Sequence, residues 1–400
     1  MAKSKIIAAV EIGTSKVSVL IGDIVNGKTL NIIGMGQCSS RGVIKGDILD
    51  FKTASDCTHA AIIAAEKQAG TSVEGVYLAL SGGHIEGFYN EANINVTTAD
   101  NTVSRRDIET VCHLAKSKDL PPERTVIHHI RRPFKLDGRL VEDPEYLEGR
   151  RLEVGYWTVH GELAKVSDSI HIINGFNLRV DDLILAGLAS GAMAVEEAER
   201  KNGVLVIDIG SGVTDFVLYQ EGWVETTGSL PLGGDHLTND LSVGLRVNHA
   251  QAEKIKLKHG RSEVRPEDKG EKVWLHGDCS IGDRQLPCQA INRILSLRVE
   301  EIFQLVKSRL GSSFRPEKLG GGVVLTGGTS CLEDIGETAS RVFGTAVRRA
   351  EGPAWMNGDL RGPENLTVLG LLHYGLNNKP ELRTEPSRKR NLLAKIFNRE

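Results

Sequence analysis

The sequence has few cysteines, and none of them forms a pattern that binds a metal ion. Six cysteines are dispersed over 400 residues, without a CxxC pair or a Cys/His cluster. This spacing gives no support to a metal site. It predicts a reduced cytoplasmic protein whose thiols are inert.

Long apolar runs and an excess of one charge are also lacking. No segment reaches the roughly 18 apolar residues of a membrane span, and residues 6–10 form a run too short for a signal peptide. The 49 basic and 52 acidic side chains give a formal net charge of −3. We therefore expect no nucleic-acid partner, and any membrane contact should be peripheral and local.

Aromatic residues make up only 5% of the chain, whereas glycine is abundant, with 44 residues. Glycine lets the backbone turn tightly and approach a ligand closely, so glycine-containing turns are candidate sites. The length exceeds that of a single hydrophobic core and predicts two or three domains.

A duplicated pattern predicts two lobes of similar fold. Each copy contains a strand, a turn with an acidic residue and glycine, a second strand, a polar turn and a third strand. The turns are residues 11–16 (EIGTSK) and 208–215 (DIGSGVTD). The predicted strands are residues 6–10, 17–23 and 30–33 in the first copy, and 204–207, 216–219 and 223–227 in the second.

Helical periodicity follows each copy, at residues 51–69 and 289–310. Strands covered by helices predict layered α/β lobes. Residues 84–163 mix a predicted helix with strands and are interpreted as an inserted small α/β subdomain. Residues 261–283 are polar and rich in turn residues, which predicts an exposed loop or hairpin.

The two acidic turns carry residues suited to binding phosphate. Their glycines let backbone N–H groups converge on an anion, while hydroxyls and a lysine add donors and positive charge. The candidates are Gly13, Thr14, Ser15 and Lys16 in the first turn, and Gly210, Ser211, Gly212 and Thr214 in the second. Glu11 and Asp208 would hold the waters around Mg²⁺. One such turn alone is usually an ordinary β-turn, but two in like contexts are stronger evidence.

A third glycine turn follows the apolar residues 323–326. Gly327 and Gly328 precede a segment with Leu332 and Ile335 at helical spacing. This arrangement lets a flat base or a phosphate approach the backbone. The alternative is an ordinary connection between a strand and a helix.

Several motifs carry a resemblance to known proteins. EIGTSK and DIGSGVTD, with LGGD at residues 232–235 and LTGG at 325–328, resemble the two phosphate loops, interlobe loop and adenosine loop of the actin/Hsp70 superfamily. Segments similar to the FtsA family of bacterial cell-division proteins are residues 32–34, 40–42, 77–82, 185–190 and 370–375. The resemblance covers nearly the whole chain. It implies an actin-like two-lobed α/β fold with duplicated RNase H-like lobes, an FtsA-type inserted subdomain and a C-terminal amphipathic helix.

The resemblance implies ATP and Mg²⁺ as cofactors. It adds Asp208, Gly233 and Gly234 to the cofactor-binding residues and places the adenosine at Gly327 and Gly328. Glu253 and Lys256 match positions that grip the ribose and base, the alternative being an exposed charged helix face. Many superfamily members have Asp where this chain has Glu11, and no residue is identified as a water-activating base. We therefore expect ATP binding, with hydrolysis weak or absent.

The implied lobes divide into large parts (1A and 2A) and small parts (1C and 2B). The resemblance associates 1C with self-assembly into filaments and with contacts to late division proteins of the membrane. The expected boundaries are 1–83 and 164–203 for 1A, 84–163 for 1C, 204–235 and 319–377 for 2A, 236–318 for 2B, 378–387 for a linker and 388–400 for a membrane-targeting helix.

A helix of the second lobe is a candidate contact with a partner protein. Residues 297–303 resemble the helix that receives the C-terminal peptide of the tubulin-like protein FtsZ, with Arg298 and Glu301 as the contacts. The alternative is a solvated helix face with paired charges.

The C-terminal residues form an amphipathic pattern too short to span a bilayer. Four large apolar residues, Leu392, Leu393, Ile396 and Phe397, fall on one helical face. The positive charges are Arg388, Lys389, Arg390, Lys395 and Arg399. This composition favours reversible binding to an anionic membrane surface. The alternatives are a helix docked on the globular body and a disordered basic tail.

We therefore predict an actin-like ATP-binding protein that polymerises and anchors FtsZ filaments on the cytoplasmic face of the cell membrane at the division site. The alternatives are an FtsA-like adaptor of a pilus or secretion machine and a sugar- or acetate-type kinase. An Hsp70 chaperone fits less well, because the sequence shows no peptide-binding domain after the second lobe.

Overall fold

The first lobe begins with a three-stranded meander and a covering helix. The structure, a computed structural model, describes residues 4–26, 29–275, 282–353, 356 and 358–377. The first elements are β1 (Ser4–Ile12), β2 (Lys16–Val25), β3 (Thr29–Ser39), β4 (Val43–Ile44), β5 (Asp47–Ile48), α1 (Phe51–Ala69) and β6 (Gly75–Leu80). Strands β1, β2 and β3 pair antiparallel, which confirms the first predicted meander.

The inserted subdomain follows β6 and has its own sheet and core. Its elements are β7 (Glu86–Asn95), α2 (Arg105–Lys116), β8 (Arg124–Arg131), β9 (Phe134–Leu136), β10 (Arg139–Val141) and β11 (Arg151–Glu162). The sheet order is β10-β9-β11-β7, and β8 also pairs with β11. Helix α2 begins with a capping box between Ser104 and Asp107 and covers this sheet.

The chain then returns to the first lobe and continues into the second. The returning elements are α3 (Leu163–Asn174), β12 (Arg179–Leu185), α4 (Ala186–Ala194) and α5 (Glu197–Asn202). The remaining elements are β13 (Val204–Ile209), β14 (Thr214–Gln220), β15 (Trp223–Leu230), α6 (Gly234–Leu245), α7 (His249–His259), β16 (Lys272–Leu275), β17 (Arg284–Pro287), α8 (Cys288–Leu310), β18 (Val323–Thr326), α9 (Ile335–Phe343), β19 (Val347–Arg349) and α10 (Leu366–Asn377).

The main sheets of the two lobes have the same topology. The first has the order β12-β6-β1-β2-β3 and the second has the order β19-β18-β13-β14-β15. In both sheets the meander strands pair antiparallel and the other two strands join in parallel. The repeated pattern in the sequence is therefore a repeated fold.

Helix α1 packs closely on β3 because two glycines remove side chains from the contact. A Cβ on Gly36 would lie 1.9 Å from the carbonyl oxygen of Ala61, and a Cβ on Gly34 would lie 2.4 Å from that of Ala65. Asp50 caps the first turn of the helix with its carboxylate. These contacts hold the helix over the sheet.

Helices α4 and α10 join the two lobes. Helix α10 packs against α4 and against β1, β2 and β6 of the first sheet. A Cβ on Gly370 would lie 1.9 Å from the carbonyl oxygen of Ala189, so the two helix backbones are in direct contact. One buried cluster contains side chains from both sheets, including Ala9 and Val206.

Helix α10 corrects one expected boundary. From sequence we place residues 319–377 in the second lobe, but α10 packs on the first sheet. Its apolar side chains, among them Leu369 and Leu372, are buried in the cluster that contains Ile7 and Leu20. The chain therefore crosses back to the first lobe after the second lobe is complete.

The segment at residues 261–283 matches the expected exposed loop or hairpin only in part. Strands β16 and β17 pair antiparallel, and residues 276–281 between them lie outside the described residues. In the first part of the segment, Pro266, Glu267, Lys269 and Gly270 are exposed, but Ser262 and Asp268 are buried. Asn292 of α8 donates a hydrogen bond to Asp268 Oδ2 (2.9 Å), which ties this part to the second lobe. In the described part of the chain, no helix is long and apolar enough to cross a bilayer.

We predict that Gly370→Ala destabilises the protein by about 2–3 kcal/mol, because the new methyl group would collide with a backbone carbonyl that has no room to move. The measurement is urea-induced unfolding followed by circular dichroism. Gly336→Ala is the matched control, since a Cβ at this helical glycine meets nothing within 4 Å. An equal effect of the two substitutions would contradict the packing described here.

Candidate functional site

A cavity of about 430 Å³ lies between the lobes, where β1 and β13 end. Both acidic turns line it, together with parts of α6 and α7 and the diglycine turn after β18. The two acidic turns touch, since a Cβ on Gly212 would lie 2.3 Å from Thr14 Oγ1. Gly13 and Gly210 therefore line one shared cleft.

The two turns share the same backbone hydrogen bond. The N–H of Gly13 donates to the carbonyl of Lys16 (3.0 Å), and the N–H of Gly210 donates to that of Val213 (2.9 Å). Each bond closes a tight hairpin between antiparallel strands. In each turn, the residues between the hydrogen-bonded pair lie at the cavity wall. An anion could therefore approach the backbone of the turn closely.

Lys16 lies in the cleft and bonds to the segment that precedes α10. Its Nζ donates to the carbonyl of Glu364 (2.9 Å) and to Asn365 Oδ1 (3.3 Å). The first lobe's turn is thereby tied to residues that follow the second lobe in sequence. The lysine is held at the cavity wall before any anion arrives.

Glu11 and Asp208 lie beside the two turns and line the cavity. Burial raises the pKa of Glu11 to about 7 and also raises the pKa of Asp208. Glu11 Oε2 is buried without a hydrogen-bond partner in the described chain, whereas Asp208 Oδ2 accepts one from Thr367 (3.0 Å). An unpartnered carboxylate oxygen, at a cavity that a second carboxylate also lines, fits the hydrated Mg²⁺ that the sequence predicts.

Asp215 is a third carboxylate at the cavity wall. Burial raises its pKa to about 7, although the hydroxyls of Ser81 and Ser229 both donate to it. Ser81 belongs to the first lobe and donates over 2.6 Å, so this hydrogen bond crosses the cleft. Asp215 therefore links the lobes at the floor of the site.

The diglycine turn after β18 forms another wall. Gly327 has a φ of +83°, and a Cβ there would lie 2.4 Å from Asp208 Oδ1, so only glycine fits this position. The hydroxyl of Thr329 donates to the carbonyl of Gly210 (2.9 Å), which fastens this turn to the second acidic turn. Gly328 is exposed to the cavity.

Glu253 and Lys256 of α7 lie at the same cavity. Lys256 Nζ is 2.7 Å from Glu253 Oε2 and donates to the carbonyl of Gly234 (3.0 Å). The pair is therefore oriented toward α6 and the cleft, and it does not form an isolated charged helix face.

The structure brings most of the predicted cofactor residues together. Those that line the cavity are Glu11, Gly13, Thr14, Ser15, Lys16, Asp208, Gly210, Ser211, Gly212, Gly234, Glu253, Lys256, Gly327 and Gly328. Thr214 lies behind the wall, where it is buried and its hydroxyl donates to the carbonyl of Leu232 (2.8 Å). Gly233 supports the second turn, because a Cβ there would lie 2.5 Å from the carbonyl oxygen of Gly210.

Comparison with known proteins identifies the family. The family model described as "Cell division protein FtsA" matches residues 205–370, and "SHS2 domain inserted in FTSA" matches residues 82–160. Cell division protein FtsA of Escherichia coli K12 is 34% identical over 395 residues, covering 94% of this chain and 93% of that protein. FtsA of Neisseria meningitidis serogroup B is 33% identical over 376 residues, covering 93% and 90%. The chain belongs to the FtsA family.

Solved structures resemble the fold of this FtsA-family chain. A PilM–PilN type IV pilus biogenesis complex has a TM-score of 0.62 at 16% identity, covering 93% of this chain and 99% of that chain. MreB5 of Spiroplasma citri bound to ADP has a TM-score of 0.54 at 14% identity, covering 99% of each. These matches confirm the actin-like fold. The likeness to the pilus complex extends to the fold alone, so the pilus-adaptor alternative gains no support beyond it.

The candidate partner face of the FtsA-family chain lies on α8, away from the cleft. Arg298 Nε is 2.6 Å from Asp240 Oδ2 of α6, and Arg298 Nη1 is 2.6 Å from Glu301 Oε2. The neighbouring Leu297 is 52% exposed. An apolar side chain beside an ordered charge cluster is available to a partner there. The predicted membrane-binding residues, Arg388, Lys389, Arg390, Leu392, Leu393, Lys395, Ile396 and Phe397, lie outside the described residues.

Among the residues that line the cleft and that sequence reasoning missed are Ser81, Asp215, Thr329 and Glu364. Asp215 was visible as the second acidic residue of DIGSGVTD. Ser81 lies within the segment at 77–82 that resembles the FtsA family, but nothing in its local pattern indicates a bond to the other lobe. Glu364 takes part through its backbone carbonyl, which no side-chain pattern reveals.

We predict that ionisation of Asp215 destabilises the nucleotide-free protein. Its pKa rises from 3.8 in the unfolded chain to about 7 when folded, so the folded state holds more protons between these pH values. The contribution of the Asp215 carboxyl to the free energy of unfolding therefore falls as the pH rises through this range, and it is constant above about pH 7.

Asp215→Asn removes the pH-dependent contribution of this carboxyl group to the free energy of unfolding. Urea unfolding in EDTA between pH 5 and pH 8 should show the wild type losing stability relative to the variant up to about pH 7. A stability difference that does not change with pH would refute the effect.

Proposed function

We propose that this FtsA-family chain is an ATP-binding scaffold that polymerises and anchors FtsZ filaments to the cytoplasmic membrane, where later division proteins are recruited. The observation that supports it most is the single cleft formed by both lobes, in which Gly212 contacts Thr14. A ligand between these turns contacts both lobes at once. Its presence would therefore set the angle between them.

ATP and Mg²⁺ fit the residues of the cleft. The two glycine turns and Lys16 would hold the phosphates, the diglycine turn and the Glu253–Lys256 pair would hold the adenosine, and Glu11 and Asp208 would hold the metal's waters. The ion would offset the charge of the phosphates where burial makes ionised carboxylates costly. Binding alone, without turnover, is sufficient for a scaffold.

Nucleotide binding would favour assembly by fixing the lobes relative to each other. Actin-like neighbours include MreB5 of Spiroplasma citri bound to AMPPNP, with a TM-score of 0.52 at 13% identity. A filament contact requires every subunit to present the same two surfaces in the same relative orientation. A closed cleft meets this requirement, because the lobes then move as one body.

The face around Leu297, Arg298 and Glu301 is the proposed docking site for the C-terminal peptide of FtsZ. We predict that Arg298→Met weakens binding of a synthetic FtsZ C-terminal peptide about three- to tenfold, since a partly buried charge is lost from the contact. Fluorescence anisotropy of the labelled peptide measures the affinity.

Arg348→Met is the matched control, because Arg348 of β19 is also paired with a carboxylate, that of Glu199 of α5, and makes no ion pair with α8 among the described residues. Its affinity for the peptide should equal that of the wild type. The proposed docking site is wrong if the two substitutions weaken binding equally, or if neither does.

The basic amphipathic tail at residues 388–400 is the proposed membrane anchor. In co-sedimentation with anionic vesicles and ATP, we predict that the full chain pellets. A chain that ends at Pro386 and a Phe397→Glu variant should remain in the supernatant, because each loses apolar burial at the interface. Neutral vesicles are the control for the basic residues. If the full chain stays soluble, or all three proteins pellet equally, the anchor is not this tail.

A further inference from the structure

The bond between Lys16 and Asn365 connects two parts of the cleft that are far apart in sequence. Lys16 Nζ donates to the carbonyl of Glu364 (2.9 Å) and to Asn365 Oδ1 (3.3 Å). Asn365 is only 3% exposed and directly precedes α10. The residues of the acidic turns do not reveal this partner, and no motif in the sequence analysis includes it.

We propose that Asn365 is a positioning residue of the nucleotide site, which holds the Lys16 ammonium in place to receive a phosphate. The inference rests on the proposed binding of ATP. An ammonium group has three N–H donors. Two of them are engaged by Glu364 and Asn365, which leaves one for a phosphate oxygen without any need to break the other two bonds.

The acceptors that hold Lys16 are uncharged. One is a backbone carbonyl and the other a side-chain amide. Among the described residues, Lys16 forms no direct ion pair, although its charge interacts with the buried carboxylates of Glu11 and Asp208. The lysine is therefore fixed in position by neutral acceptors, and a direct ion pair is left for an incoming anion.

The residues on either side of Asn365 are fastened to the second lobe. The carbonyl of Pro363 accepts hydrogen bonds from Thr326 Oγ1 (3.0 Å) and from the N–H of Gly327 (3.1 Å). On the other side, Thr367 donates to Asp208 Oδ2 (3.0 Å). Asn365 thus lies between two anchors on the diglycine and second acidic turns. It offers Lys16 a fixed acceptor instead of a mobile one.

Through these hydrogen bonds, the two acidic turns and the diglycine turn are connected across the cleft. Lys16 comes from the first acidic turn, while the segment that holds it is attached to the other two. A phosphate that accepts the third N–H of Lys16 would join the same network. Asn365 would therefore raise the affinity for nucleotide by reducing the freedom that Lys16 must lose on binding.

A double-mutant cycle tests the positioning role. The full-length wild type, Lys16→Met, Asn365→Ala and the double variant are titrated with a fluorescent N-methylanthraniloyl ATP in Mg²⁺. We expect Lys16→Met to weaken binding about 10- to 100-fold and Asn365→Ala about three- to tenfold. In the Lys16→Met background, Asn365→Ala should have almost no further effect, because the residue acts through Lys16.

Two further variants separate positioning from general stability. Asn365→Asp keeps the size of the side chain but pairs Lys16 with a negative charge, so it should weaken nucleotide binding about tenfold with an almost unchanged Tm. Asn292→Ala removes another buried asparagine, which bonds to Asp268 outside the cleft. It should lower the Tm and leave nucleotide affinity unchanged.

The outcomes distinguish this inference from the function on which it rests. If the wild type does not bind the fluorescent ATP, the proposed function fails and the inference fails with it. If the wild type binds but the Asn365→Ala effect is equally large with and without Lys16, only the positioning role is overturned. Wild-type affinity in Asn365→Asp would overturn it as well.

Discussion

The contact between Gly212 and Thr14 is the constraint on which the site depends. It places the turn of one lobe directly against the turn of the other, with no room for a side chain at Gly212. The cleft lies where the equivalent turns of two sheets with the same topology meet. A ligand held by both turns is therefore also a connection between the lobes, which is the property that an assembly controlled by nucleotide requires.

The cleft keeps several carboxylates in a poorly solvated place. Burial raises the pKa of Glu11 and of Asp215 to about 7, so their charged forms are disfavoured in the absence of a ligand. Hydroxyl donors reduce this penalty for Asp215, and a hydrated cation would reduce it for Glu11. Burial of these carboxylates would thus favour binding of a cation at the site.

The surfaces proposed for partners lie apart from the cleft and can differ without disturbing it. The inserted subdomain has its own core, with Leu136 and Leu152 fully buried. It reaches the second lobe through an ion pair between Arg132 and Glu225 (2.8 Å). Helix α8 presents Arg298 on another face. In this chain, the cleft and the surfaces proposed for recognition are therefore built from different elements.

The sequence by itself determined the duplicated meanders, the α1 helix, the inserted subdomain and most cavity residues. These features follow from local periodicity and from glycine turns whose geometry is set within a few residues. The tertiary structure decided which lobe carries α10, why Thr214 and Gly233 lie behind the cavity wall, and that Ser81, Asp215, Glu364 and Asn365 take part. Those results depend on backbone carbonyls and long-range contacts, such as Lys16 with Asn365. Such contacts arise only when distant segments pack together, and local residue patterns do not encode them.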